Sequence, residues 1–235
     1  MPTLHGVSTV LLDIEGTICP ISFVKEVLYP YALTHAPQIL TAQWDHPALL
    51  PYLTKFPPSV RSSPSTLVDY ITILSASDVK DPALKALQGY LWRTGYETGA
   101  VRTPLFDDVV PKLQIWKAAS KRLIIFSSGS VEAQKLFFGY VEGAGDLNPL
   151  FAANYDTVNA GPKMVKESYM RIAGELGVKS AEVLFLSDNV NEIRAALEAG
   201  MQALVVDRPG NAPLTEADRQ ELSIINSLDE VEFGN

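Results

Sequence analysis

The sequence is poor in soft metal ligands: 235 residues include one cysteine, Cys19, and three histidines, His5, His35 and His46. A single thiol rules out an internal disulfide and suits a reducing compartment. The histidines and Cys19 show no ligand spacing, so a zinc site built on imidazole or thiolate clusters is excluded. No apolar run approaches the about 20 residues that a bilayer-spanning helix needs, and Met1 to Ser8 lacks a basic segment followed by an apolar stretch. A soluble protein is expected. Positive charge is scarce as well. Nineteen Lys and Arg face 27 Asp and Glu, a net charge of −8, with no basic cluster, which argues against a nucleic-acid or membrane-surface partner. There is no internal repeat and no low-complexity tract.

What the chain has is apolar residues, 47% of the total, enough for one large core or a core plus a smaller domain. Four short apolar runs end abruptly in polar residues. Val10 to Leu12 gives onto Asp13-Ile14-Glu15-Gly16-Thr17, Leu123 to Phe126 onto Ser127-Ser128-Gly129, Val183 to Leu186 onto Ser187-Asp188-Asn189, and Ala203 to Val206 onto Asp207-Arg208. Runs apolar at successive positions suit strands covered on both faces, as in a parallel sheet between helices. Open sheets of that kind bind ligands beyond the carboxyl ends of their strands, so Asp13, Ser127 and Asp188 are expected to converge.

Between the first and second strands the pattern is helical. Ile21, Val24, Leu28 and Tyr31 fall at helical spacing, with Pro30 expected to kink or end that helix. Leu67, Ile71 and Leu74 continue the pattern, as do Leu84, Leu87 and Leu91 after Asp81-Pro82, an N-cap and first-turn pair. After Asp107 the αβ alternation resumes, with Asp107 and Asp108 read as helix-capping acids. Gly161-Pro162-Lys163 is expected to open a helix, with Pro162 at its first position. The expected organisation is a doubly wound, mainly parallel α/β core at residues 1–18 and 100–235, with a helical cap at 19–99 inserted between the two segments.

Two or three acidic oxygens such as those of Asp13, Glu15 and Asp188 suit Mg²⁺, which takes few carboxylates and keeps waters for substrate oxygens. Ser127, Ser128 and Gly129 precede a helix, where unpaired amides and the dipole favour an anion. Lysine in a first helical turn opposes the dipole, so Lys163 suggests a task beyond helix stability. These parts suit phosphoryl transfer. A carboxylate attacking a phosphate dianion at ~4 Å meets a repulsion of roughly 8 kcal/mol at an effective dielectric of about 20. A divalent cation plus a lysine would offset it, and the inventory fits a covalent aspartyl-phosphate. Solvated strand-end acids, ordinary Ser-Ser-Gly capping and a surface lysine are the bland readings of the same residues.

The four segments together, Asp13-Ile14-Glu15-Gly16-Thr17, Ser127 or Ser128, Lys163, and Asp188 with Glu192, resemble the signature of the haloacid dehalogenase superfamily of phosphatases. Glutamate at the third motif position narrows the match. With Pro20-Ile21-Ser22-Phe23-Val24-Lys25, Leu28-Tyr29-Pro30-Tyr31, Ser127 through Leu136 and Arg208-Pro209-Gly210-Asn211-Ala212, the chain is similar to the acireductone synthase family, the enolase-phosphatases of methionine salvage. The resemblance covers nearly the full chain. It implies a haloacid dehalogenase-like core and a small phosphorylated diketone as substrate, 2,3-diketo-5-methylthiopentyl-1-phosphate, enolised and then dephosphorylated. It implies Asp13, Glu15 and Lys163 as catalytic residues, Ser127, Ser128 and Lys163 at the phosphate, and Asp13, Glu15 and Asp188 at Mg²⁺. It also implies a monomer in the cytoplasm, with the nucleus as a second compartment. The competing expectations are a sugar-phosphate phosphatase or phosphomutase of the same fold, and a silent interaction module that keeps it. Tyr29, Tyr31 and Trp92 read as core packing, with a substrate chamber as the alternative.

Overall fold

In the computed structural model, which describes residues 4–77 and 81–234, the four apolar runs are strands of one six-stranded parallel sheet. The strands are β1 (Thr9–Leu12), β2 (Arg122–Phe126), β3 (Phe151–Tyr155), β4 (Val183–Ser187), β5 (Gln202–Val206) and β6 (Ile224–Ile225), in the spatial order β3-β2-β1-β4-β5-β6. Leu12 is paired with Ile125 on one side and Leu186 on the other, so the three strands end level. Val10, Leu11 and Leu12 are fully buried, as continuous apolar runs require when helices cover both faces. The chain moves outward from β1 through β2 to β3, then crosses back to β4 on the opposite side of β1. That reversal opens the switch-point crevice of a doubly wound sheet, and it opens directly above Asp13.

The chain divides into two compact units, one comprising Met1–Phe23 and Thr103–Asn235, the other Val24–Arg102. The first holds the sheet, with α5 (Val109–Ala118), α6 (Val131–Gly139), α7 (Lys166–Leu176), α8 (Val190–Glu198) and α9 (Glu216–Glu221) among its helices. The second is helical: a π-helical turn at Val24–Leu28, then α1 (Tyr29–Gln43), α2 (Leu50–Leu53), α3 (Pro64–Ala76) and α4 (Pro82–Thr98). Its own core gathers Ala36, Leu40, Leu67, Ile71, Leu84 and Leu87. Asp81 caps α4, its carboxylate accepting the Leu84 amide at 2.9 Å, and Gly99 at φ +80° ends it.

Several local expectations are corrected. Pro30 does not end a helix. The helix runs through it, from the π-helical turn Val24–Leu28 straight into α1, so the proline leaves a local distortion just before it and not a stop. Gly161-Pro162-Lys163 opens no helix either. Gly161 adopts φ +107°, Val165 is extended, and α7 starts at Lys166. Ser168 Oγ and Tyr169 OH donate at 2.7 Å to the carbonyls of Pro162 and Lys163, holding this loop outside the helix. Lys163 therefore does not face a helix dipole. Tyr29 is 40% exposed and so is no core residue, while Trp92 Nε1 donates to the Leu28 carbonyl at 2.7 Å.

Asp108 does not cap α5 with its side chain. Its Oδ2 instead accepts from Arg208 Nη2 at 2.7 Å, Ser227 Oγ at 3.0 Å and the Leu228 amide at 2.6 Å, tying the C-terminal segment to the core. Burial works to raise its pKa, but the Arg208, Leu228 and Ser227 donors outweigh burial and hold the carboxyl below its ordinary 3.8. A depressed carboxyl stabilises the fold above its unfolded pKa, and the contribution is lost as pH falls through the folded value. Asp108→Asn is accordingly expected to cost about 2 kcal/mol at pH 7, with the gap to wild type closing below about pH 4. Urea denaturation at both pH values checks it.

Candidate active site

Asp13 follows β1 immediately, its amide donating to the Leu186 carbonyl at 3.0 Å, so the strand ladder carries the acid to the sheet edge with its backbone fixed. It is only 6% exposed. Lys163 Nζ lies 2.6 Å from Asp13 Oδ1 and 2.7 Å from Glu192 Oε2, and stands 5.6 Å from the centre of the Phe126 ring. Ser187 Oγ donates to Glu192 Oε2 at 2.9 Å and approaches Asp13 Oδ2 at 3.5 Å. A lysine from the β3–α7 loop thus bridges an acid after β1 and an acid on α8, residues 150 and 29 positions away along the chain.

Asp188 closes the cluster from the end of β4. Its amide donates to Thr17 Oγ1 at 3.0 Å, and its carboxylate lies against the backbone of Gly16. A Cβ on Gly16 would stand 2.5 Å from Asp188 Oδ2, and Gly16 adopts φ +73°, so both space and backbone conformation require glycine here. Burial, then the charges of Asp13 and Glu192, push Asp188 up to about 7. Burial and Asp13 push Glu192 up to about 7 as well, against the opposing pull of Lys163 and Ser187. Burial disfavours the Lys163 ammonium, but Asp13 and Glu192 prevail and its pKa is raised. The directions agree physically: one ammonium is shared among three acids, and the surplus negative charge is left uncompensated.

Ser127 is buried one residue past Phe126, its amide donating to the Tyr155 carbonyl at 3.1 Å, whereas Ser128 is exposed. The amides at the start of α6 are not all open to an anion. Val131 N donates to Asp156 Oδ2 at 3.0 Å and Ala133 N to Ser130 Oγ at 3.2 Å, so capping occupies two of them. Glu15 is partly buried and its backbone bridges to Cys19. Cys19 is fully buried, and burial together with the Glu15 charge pushes its thiol far up, which suppresses thiolate chemistry. Among the described residues no three His, Cys, Asp or Glu side chains form a metal cage.

Sequence reasoning left Ser187, Thr17 and Asn211 out of the site. Ser187 and Thr17 follow buried runs directly, and that was the available signal. Asn211 lies in a loop whose return to Gly16 no periodicity encodes.

Comparison with known proteins shows the family of the chain. The haloacid dehalogenase-like hydrolase family matches residues 7–200. The Enolase-phosphatase E1 of Chaetomium globosum is 52% identical over 94% of this chain and 96% of its own length, and that of Neurospora crassa 50% identical over 96% and 97%. The crystal structure of the UTR4 protein from Saccharomyces cerevisiae superposes with a TM-score of 0.84 at 40% identity, covering 96% of this chain and all of that one. With more than nine tenths of its length matched by such relatives and its acids and lysine gathered at the carboxyl ends of the central strands, the chain belongs to the haloacid dehalogenase-like hydrolases and, within them, to the enolase-phosphatase family.

Proposed function

We propose that this enzyme converts 2,3-diketo-5-methylthiopentyl-1-phosphate to 1,2-dihydroxy-3-keto-5-methylthiopentene and phosphate, the acireductone-forming step of methionine salvage. The observation that carries the reading is the Asp13–Lys163–Glu192 cluster beside Asp188, at the sheet's switch point. Full-length relatives named Enolase-phosphatase E1 support the substrate.

The residues fit Mg²⁺. Lys163 bridges Asp13 Oδ1 and Glu192 Oε2, so Asp13 Oδ2 and the Asp188 carboxylate stand outside that bridge, and two carboxylates completed by main-chain oxygen and water are what this hard cation accepts. Asp13, Asp188 and Glu15, the last through either its side chain or its carbonyl, would hold it. When bound, it would supply Lewis-acid charge to phosphoryl and carbonyl oxygens. Burial first, then the neighbouring acids, push Asp188 and Glu192 up, a balance that a bound divalent cation would relieve.

In this reading Asp13 is the nucleophile: a carboxylate oxygen bonds to phosphorus, the P–O bond to the enediol breaks, and water later releases phosphate from the acyl-phosphate. Lys163, held by Glu192, offsets the charge that Asp13 and the phosphoryl oxygens bring together. Ser127 and Ser128 donate to the phosphoryl oxygens. Glu15 takes the proton from the carbon beside the substrate carbonyl and returns it to the carbonyl oxygen, completing the enol, its extra methylene reaching further than aspartate would. The expected state is a monomer, in the cytoplasm and nucleus. Among the described residues no helix is long and apolar enough to cross a membrane.

Purified protein given the diketone phosphate, with enediol absorbance and free phosphate followed together, tests the reading. Both signals should rise and both should stop with EDTA. Phosphate release from general sugar phosphates at equal efficiency would instead favour the broader phosphatase. Glu15→Asp is expected to slow enolisation roughly 10- to 100-fold. Wild-type rates for both steps in that variant would remove Glu15 from proton transfer.

A further inference from the structure

We infer that Asn211 is a positioning residue of the cation seat, its amide oxygen accepting a hydrogen bond from a water carried by the divalent cation at Asp188. The inference rests on the cation-dependent reading above. Arg208-Pro209-Gly210-Asn211 leaves the end of β5, and the Asn211 amide turns back into the site. Its Nδ2 donates to the Gly16 carbonyl at 2.9 Å and to the Val206 carbonyl at 3.2 Å. Two carbonyls accept only from an NH₂, so the amide orientation is fixed and Oδ1 must face the other way.

That oxygen is the one buried side-chain nitrogen or oxygen among the described residues with no hydrogen-bond partner. It does not face apolar packing. The point a Gly16 Cβ would occupy lies 2.9 Å from Asn211 Oδ1 and 2.5 Å from Asp188 Oδ2, so both oxygens lie close against the same bare α-carbon. Buried acceptors are almost always satisfied, and an unpartnered one close to a carboxylate points to a donor from outside the chain. A water carried by a cation held at Asp188 would supply it. Mg²⁺ keeps several such waters, and partners of this outer kind fix the inner geometry. Asn211 would thereby favour an ion that stays hydrated over one that sheds its waters more readily, such as Ca²⁺.

The test is calorimetric titration of the full chain with Mg²⁺ and separately with Ca²⁺, for wild type, Asn211→Ala and Asn211→Ser. Melting temperature in EDTA monitors the fold of each. The expected result is a 10- to 100-fold weaker Mg²⁺ Kd in both variants, with Ca²⁺ affected much less. Unchanged Mg²⁺ affinity overturns the inference, as does equal weakening for both ions, which would mean that Asn211 only shapes the loop through its Gly16 bond. Wild-type protein that takes up neither ion overturns the cation reading itself and this inference with it.

Discussion

Asp13→Asn should abolish phosphate release, by about 10⁴-fold or more, while the protein remains folded. The magnitude is that of losing a covalent nucleophile, which costs far more than losing one hydrogen bond. Folding should survive because the substitution keeps the shape of the side chain and leaves Lys163 its second partner, Glu192 at 2.7 Å. The variant also removes one of the three acids that crowd a single ammonium, so the surplus charge falls. Single-turnover phosphate release and a denaturation curve check both halves of the claim. Full Mg²⁺-dependent turnover by Asp13→Asn would rule out Asp13 as the nucleophile.

Asp188→Asn should move activity and stability in opposite directions. Phosphate release should fall about 10²- to 10³-fold, corresponding to several kcal/mol of charge stabilisation lost with the cation. Without cation the variant should melt higher than wild type at pH 8. Burial, with the Asp13 and Glu192 charges, pushes Asp188 up to about 7 from an ordinary 3.8, so ionising it costs the folded state more than the unfolded one. The penalty is absent below about pH 4, grows as pH rises towards 7 and stays above it. Discounted for partial exposure, it amounts to about 2 kcal/mol. Saturating Mg²⁺ should reverse the order, because wild type gains stability by mass action and the variant gains little. Melting curves at pH 4 and pH 8, with EDTA or Mg²⁺, test each arm. A wild type that melts above the variant in EDTA at pH 8 would contradict the account of the charge balance.

Much of the sheet was legible because burial on both faces writes itself as uninterrupted apolar residues: Val10 to Leu12, Leu123 to Phe126, Val183 to Leu186 and Ala203 to Val206 all lie in strands. The two-residue β6 escaped because its apolar pair is too short to carry a period. Lys163 shows how a residue can be singled out for the wrong reason. The sequence argument placed it in a first helical turn; it lies in the loop before α7, and its burial between two carboxylates sets it apart. Asp108 shows the converse. Its place before a helix suggested a cap, but its hydrogen bonds run to Arg208, Ser227 and Leu228, up to 120 positions along the chain.

Local chemistry alone determined four of the six strands, which residues stand at their carboxyl ends, and that those residues are hard, acidic and hydroxyl-bearing instead of soft. Period and composition act over a few residues and so can be read from one chain. Tertiary structure decided the rest: that Lys163 spans Asp13 and Glu192, that Asp188 and Asn211 pack against the bare α-carbon of Gly16, and that Ser127 is buried where Ser128 is not. Each of these depends on sheet order and loop return, which bring together groups whose mutual charge and hydrogen bonding exist only once the backbone has folded.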